Sequence, residues 1–176
     1  MMKKINISRV VTLSLFVLGA AMTRLLPHPP NFAPLTAVAV FSGFYMAPLW
    51  AAFLIPVAAM LLSDALIGFH SGMFLVYGCF AAMVFLGNLL QSKKSFMTIA
   101  GTLLASNFFF FLVTNAAEWP GNPMYAQDIS GLLQSYIAAL PFYGNSLLGD
   151  VFYSAVLFGG FAAVERFSPA IRAQNY

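Results

Sequence analysis

From residue 25 to residue 63 the chain runs for 39 positions without one Asp, Glu, Lys or Arg. Three more uncharged stretches follow, at 65–92, 95–117 and 129–149. A helix needs about 20 mostly apolar residues to cross a bilayer, and each of these stretches is long enough. Only 7% of the chain is charged and 61% is apolar, against about 25% charged in an ordinary soluble domain. So few charges cannot clothe a globular surface in water. This excludes a soluble enzyme, a disordered chain and a nucleic-acid-binding domain. An all-α integral membrane protein remains.

The apolar runs predict six spans in one domain covering 1–176, at about 10–26, 35–45, 49–67, 73–90, 96–114 and 142–164. The second is short, and Gly43 and Pro48 mark its end. The first also reads as a signal peptide, with a basic start, an apolar core and small residues at Gly19, Ala20 and Ala21. With six spans and an inside start, Lys3, Lys4, Arg9, Lys93, Lys94, Arg166 and Arg172 fall on the cytoplasmic side, and Arg24 alone faces out. That distribution obeys the positive-inside rule and places both termini in the cytoplasm. Asp64, Glu118, Asp128 and Asp150 fall toward the outer face, with Glu165 alone inside.

Polar chemistry gathers in the outer connections. Residues 24–34 hold Pro27, Pro29, Pro30 and Pro34 beside Arg24, His28 and Asn31. Prolines stiffen a segment and remove backbone donors, so this is a rigid elbow or part of a ligand site. Asp64 lies at the membrane boundary, where a lone carboxylate is costly, and Arg24 is the only outer base to pair with it. His70 is a ligand base or an interfacial histidine. Cys79, the single cysteine, sits next to Tyr77 and Gly78 near the outer end of the fourth span. A lone cysteine in an apolar helix is a small hydrophobe, or its thiolate is a soft ligand for a transition metal.

The longest outer connection, 115–141, opens on Asn115 and is expected to form a short helix over 130–140 capped by Asp128 or Ser130. Trp119, Tyr125, Tyr136, Phe142 and Tyr143 give it flat aromatic surface, as a binding lid or as an interfacial belt. Asn145, Gly149 and Tyr153 share a face of span six, as Asn107 and Thr114 do on span five. Asp150 is the deepest charge in any expected span, and no second charge joins it. That argues against a proton relay or a channel lined by charged side chains. No Walker loop, G-x-S-x-G, H-E-x-x-H or C-x-x-C occurs, and one cysteine precludes an internal disulfide or a cysteine-cluster zinc site.

Residues 24–34, 62–70 (Leu-Ser-Asp-Ala-Leu-Ile-Gly-Phe-His), 76–80 (Val-Tyr-Gly-Cys-Phe) and 140–150 (Leu-Pro-Phe-Tyr-Gly-Asn-Ser-Leu-Leu-Gly-Asp) resemble the BtuM-like group of small membrane proteins. That group is similar to the substrate-binding S components of energy-coupling-factor (ECF) vitamin transporters. The resemblance implies a six-helix S-component fold in a bacterial inner membrane, and a substrate-binding protein in place of an enzyme. The vitamin, cobalamin, would be held near the outer face with Cys79 on its cobalt. Tyr77, His70, Trp119, Tyr136 and Phe142 would line the ring. Arg24, His28, Asn31 and Asn145 would meet its amides or brace the loops, while Asp64, Asp150 and Asn115 support the site. No cofactor of its own is expected, since the corrinoid brings its metal. The expected partners are the lipid bilayer, the vitamin and an energising module of transmembrane and ATPase subunits, or none beyond the first two. A small intramembrane enzyme using Asp64, His70 or Cys79 and a purely structural membrane protein are the rival readings.

Overall fold

The computed structural model describes residues 6–69 and 71–172, and those residues form helices and turns with no strand. Helix α1 (Ile7–Met22) is capped by the Asn6 side chain, which accepts from the Arg9 N–H, and it ends in a tight turn over Thr23–Leu25. Helices α2 (Leu35–Tyr45), α3 (Leu49–Ile67) and α4 (Met73–Leu89) follow. Helix α5 (Phe96–Glu118) starts at a Ser95 cap. Helix α6 (Ile129–Ser154) starts at an Asp128 cap and passes through a π-helical turn, Ala155–Gly159, into α7 (Gly160–Phe167). Four of these helical stretches are long and apolar enough to cross a membrane: Ile7–Leu25, Leu49–Ile67, Phe96–Glu118 and Ile129–Phe167. Large apolar side chains such as Leu15, Trp50, Phe74, Phe85, Leu104 and Val151 point outward, which suits a lipid-facing surface and not a watery one.

The largest departures from the expected bounds fall around the connection at 115–141. Helix α5 continues four residues beyond the expected stop at 114, so the connection is shorter than 115–141. The helix expected over 130–140 is not a separate element but the start of α6, which carries Pro141 inside it. Proline removes one N–H and frees the carbonyl four residues back. Here that carbonyl belongs to Ile137, an exposed residue, and the helix goes on through the proline. At 39 residues this helix is about 58 Å long, well beyond a hydrocarbon core of about 30 Å.

Helix α2 is the hub. All of Thr36 to Phe44 is buried, and at eleven residues it is only about 16 Å long. Its partner α4 runs parallel to it and crosses at two glycines. A methyl group on Gly43 would lie 2.2 Å from the Val84 carbonyl oxygen, and one on Gly87 would lie 2.8 Å from that of Val40. Neither position admits a side chain without moving a backbone.

The two ends differ chemically. At one end Arg9 pairs with Glu165 at 2.5 Å and donates to the Ile171 carbonyl at 2.7 Å, while Asn6 donates to Ala170 at 2.9 Å. The Lys94 ammonium stands 4.4 Å above the Tyr45 ring, over an aromatic cluster that joins Phe16, Phe41, Tyr45 and Phe161. Burial of the ammonium, and secondarily the nearby Arg9 charge, lower the Lys94 pKa. The opposite end gathers Arg24, the proline-rich segment and the starts of α4 and α6.

Candidate solute site at the Arg24 end

Residues 27–34, the strap, lie across α6. The Asn145 amide donates to the Pro30 carbonyl at 3.0 Å. One turn on, Gly149 lets the backbone of Phe32 and Ala33 approach so closely that a methyl group would sit 3.1 Å from the Ala33 nitrogen. A further turn on, Tyr153 packs its ring on Phe32, with centroids 5.8 Å apart, and its hydroxyl accepts from Thr23 at 2.9 Å. The shared face of Asn145, Gly149 and Tyr153 is therefore a seat for the strap. Asn31 at the apex adopts φ +62°, a left-handed conformation that asparagine tolerates better than most residues.

Beside the strap, Arg24 Nη1 lies 2.7 Å from Asp64 Oδ1 and donates to Ser63 Oγ at 2.6 Å. Tyr77 donates to the other Asp64 oxygen at 2.5 Å. Asp64 and Ser63 are buried, so this charge is shielded and fully partnered. The expected Arg24–Asp64 pair is present, and Tyr77 completes it.

Between the strap, α2, α5 and α6 lies a cavity of about 140 Å³. Asn31, Asn107 and Asn115 give it amides, Thr36, Thr114 and Ser146 give it hydroxyls, and Phe110, Phe111 and Tyr143 give it rings. This wall offers hydrogen bonds and stacking without formal charge, a chemistry that suits a neutral, polar, partly flat solute. Behind it, the buried Asp150 accepts from Asn107 at 2.5 Å, and Asn107 also donates to Ser146 at 2.8 Å.

The other residues singled out by sequence lie elsewhere. Cys79 is a free thiol, 3% exposed, packed in the core with Phe80 and Met83, and it does not line the cavity. Tyr77 is committed to Asp64. Trp119 does not face the cavity either: its Nε1 donates to Ala126 at 2.9 Å, folding the 119–127 loop on itself with help from Gln127. Tyr136 ties α6 to α5 through the Leu112 carbonyl at 2.7 Å and stacks near Phe111. Phe142 points outward, and exposed His28 contacts the adjacent Pro29 carbonyl. His70 lies outside the described residues. In this arrangement the polar atoms of Tyr77, Trp119 and Tyr136 are engaged by protein partners, and the Phe142 ring is exposed. Among the described residues no three of His, Cys, Asp and Glu converge as a metal site.

Several cavity residues carried no sequence signal of binding. Thr36, Phe110, Phe111 and Ser146 read as ordinary helix positions. Asn107 and Thr114 were legible only as a polar face that helix packing could use.

Residues 4–171 match DUF6580, described as a family of unknown function. No curated protein and no solved structure matches the chain.

Proposed function

This chain belongs to the DUF6580 family, and we propose that it is a membrane-embedded, substrate-binding uptake protein of the S-component type. The observation that carries the reading is the strap-covered cavity, in which polar side chains from the strap, α2, α5 and α6 converge at one end of an otherwise greasy bundle. In this reading six helices cross a bacterial inner membrane with both termini cytoplasmic. The Arg24 end faces out, since the six-span reading assigns seven of the eight basic residues in the sequence to the cytoplasmic side. The strap and the 119–127 loop close over the captured solute. The protein works with an ECF energising module or alone.

Cobalamin is the substrate to test first, on the strength of the motifs around Arg24, Asp64, Cys79 and Asn145. A corrinoid is far larger than a cavity of about 140 Å³, so binding it requires the strap to lift and the outer half of the bundle to rearrange until Cys79 comes within reach of cobalt. The test is to purify the protein from cells fed cobalamin and record its visible spectrum. A coloured protein whose spectrum shifts on Cys79→Ser supports a sulfur–cobalt contact. An unchanged spectrum in that variant returns Cys79 to a packing role, and a colourless protein that also fails to bind added cobalamin removes the corrinoid from the reading.

A further inference from the structure

Asp150 is only 4% exposed, and its two oxygens are treated unequally. Oδ2 accepts from Asn107, whereas Oδ1 has no partner in hydrogen-bond geometry. From α2, the Thr36 hydroxyl and the Ala37 N–H face the same carboxylate. Both belong to the first turn of that helix, where backbone N–H groups lack intrahelical acceptors. No compensating charge is near. Helix α2 carries no charged residue, α5 carries only Glu118 at its far end, and the strap's only ionisable side chain is exposed His28. The ion pairs among the described residues are Arg9–Glu165 and Arg24–Asp64. The other titratable groups near it on α6 are Tyr143 and Tyr153, the second hydrogen-bonded to Thr23.

An uncompensated carboxylate inside an apolar bundle is costly while ionised. A proton removes that cost, and Oδ1 is the free position for it. A metal cation would instead need several converging oxygen acceptors, and the groups turned toward Asp150 are donors: the Asn107 amide, the Thr36 hydroxyl and the Ala37 N–H.

We propose that Asp150 is a proton-binding site that links loss of its proton to release of the strap. Asp150 lies between α2, α5 and α6 beneath the strap, whose Ala33 rests on neighbouring Gly149, so the cost of an ionised carboxylate falls on the closed arrangement. The closed arrangement therefore belongs to the protonated form, and by linkage acidification favours closure while loss of the proton favours opening. The proton site stands on the geometry of Asp150. Its use in solute exchange rests on the function proposed above.

The experiment is an infrared pH titration of the full chain in lipid nanodiscs, without any added solute. A carbonyl band of a protonated carboxylic acid should titrate in the wild type and vanish in Asp150→Asn. Asn107→Leu, which removes the donor on Oδ2, should carry the band to higher pH and supplies a second variant should Asp150→Asn fold poorly. A band that persists in Asp150→Asn, or no titrating band in the wild type, overturns the proton site. The link to the strap is read from spin labels at positions 28 and 137 on a Cys79→Ala background. Distances should broaden as the pH rises and stay narrow at every pH in Asp150→Asn, whose side chain mimics the neutral acid, and pH-independent distances in the wild type overturn the link. Neither readout contains cobalamin, so failure of the corrinoid reading leaves both intact.

Discussion

Arg24 and Asp64 lie 2.7 Å apart with the carboxylate buried, and they tie the end of α1 to the end of α3 where the strap begins. Removing one member of a buried pair leaves the other charge stranded, at a cost of about 3–5 kcal/mol. Arg24→Ala and Asp64→Ala should each lower the thermal unfolding midpoint strongly in detergent. The double variant should lose less than the sum, because neither charge is then left alone. Additive losses would mean that the two side chains act independently.

The α2–α4 crossing should be intolerant of one added methyl group. Gly43→Ala places a carbon 2.2 Å from a backbone oxygen, beyond what side-chain adjustment relieves, and overpacking of even ordinary core sites costs about 1–3 kcal/mol. Gly43→Ala should therefore be at least that damaging, with Gly87→Ala next. Gly78→Ala meets nothing within 4 Å and should be near neutral. Thermal unfolding and monodispersity of the three variants give the order directly.

Lys94 yields a pH dependence of known sign. Its pKa is lowered in the folded protein by burial and by Arg9, so the unfolded chain binds more protons below the ordinary lysine value of about 10.4. Stability should therefore rise with pH through the window below that value. Lys94→Met should lose this rise, as followed by unfolding midpoints across alkaline buffers. A variant with the same alkaline slope as the wild type would show that Lys94 carries none of it.

Sidedness is testable without a ligand. On a Cys79→Ala background, Lys93→Cys and Asn122→Cys should react with a membrane-impermeant maleimide from opposite faces of intact cells and inverted vesicles. Labelling of both from the same side would break the six-span topology. In the wild type, buried Cys79 should react slowly until the bundle is unfolded.

Much of the architecture was legible in the chain because membrane helices are written in long-range hydropathy. The runs 35–45 and 49–67 became α2 and α3 at the expected bounds. The i, i+4, i+8 spacing of Asn145, Gly149 and Tyr153 marked a shared face of the helix, and the structure seats the strap on it. The errors were local. Pro141 and the turn formers around Asn115 suggested breaks, but proline stops a helix only where its freed carbonyl cannot be satisfied, and sequence does not say which side is exposed. Trp119 and Tyr136 stood out as flat aromatic surface, but the carbonyls they engage, those of Ala126 and Leu112, were not legible in the chain.

By itself, the sequence determined that this chain is built of long apolar helices suited to a membrane, since charge scarcity and hydropathy are properties of composition and order. Tertiary structure alone decided which polar residues share a cavity. Asn31, Thr36, Asn107, Asn115 and Ser146 come from the strap and three helices, and their meeting depends on how α2, α5 and α6 pack together and on how the strap beds onto α6. The same packing sealed Cys79 inside the core and left Asp150 as a buried carboxylate with one oxygen free. Hydropathy records how deep a residue lies along a helix, but the rotation of each helix about its axis is settled only when its neighbours pack against it.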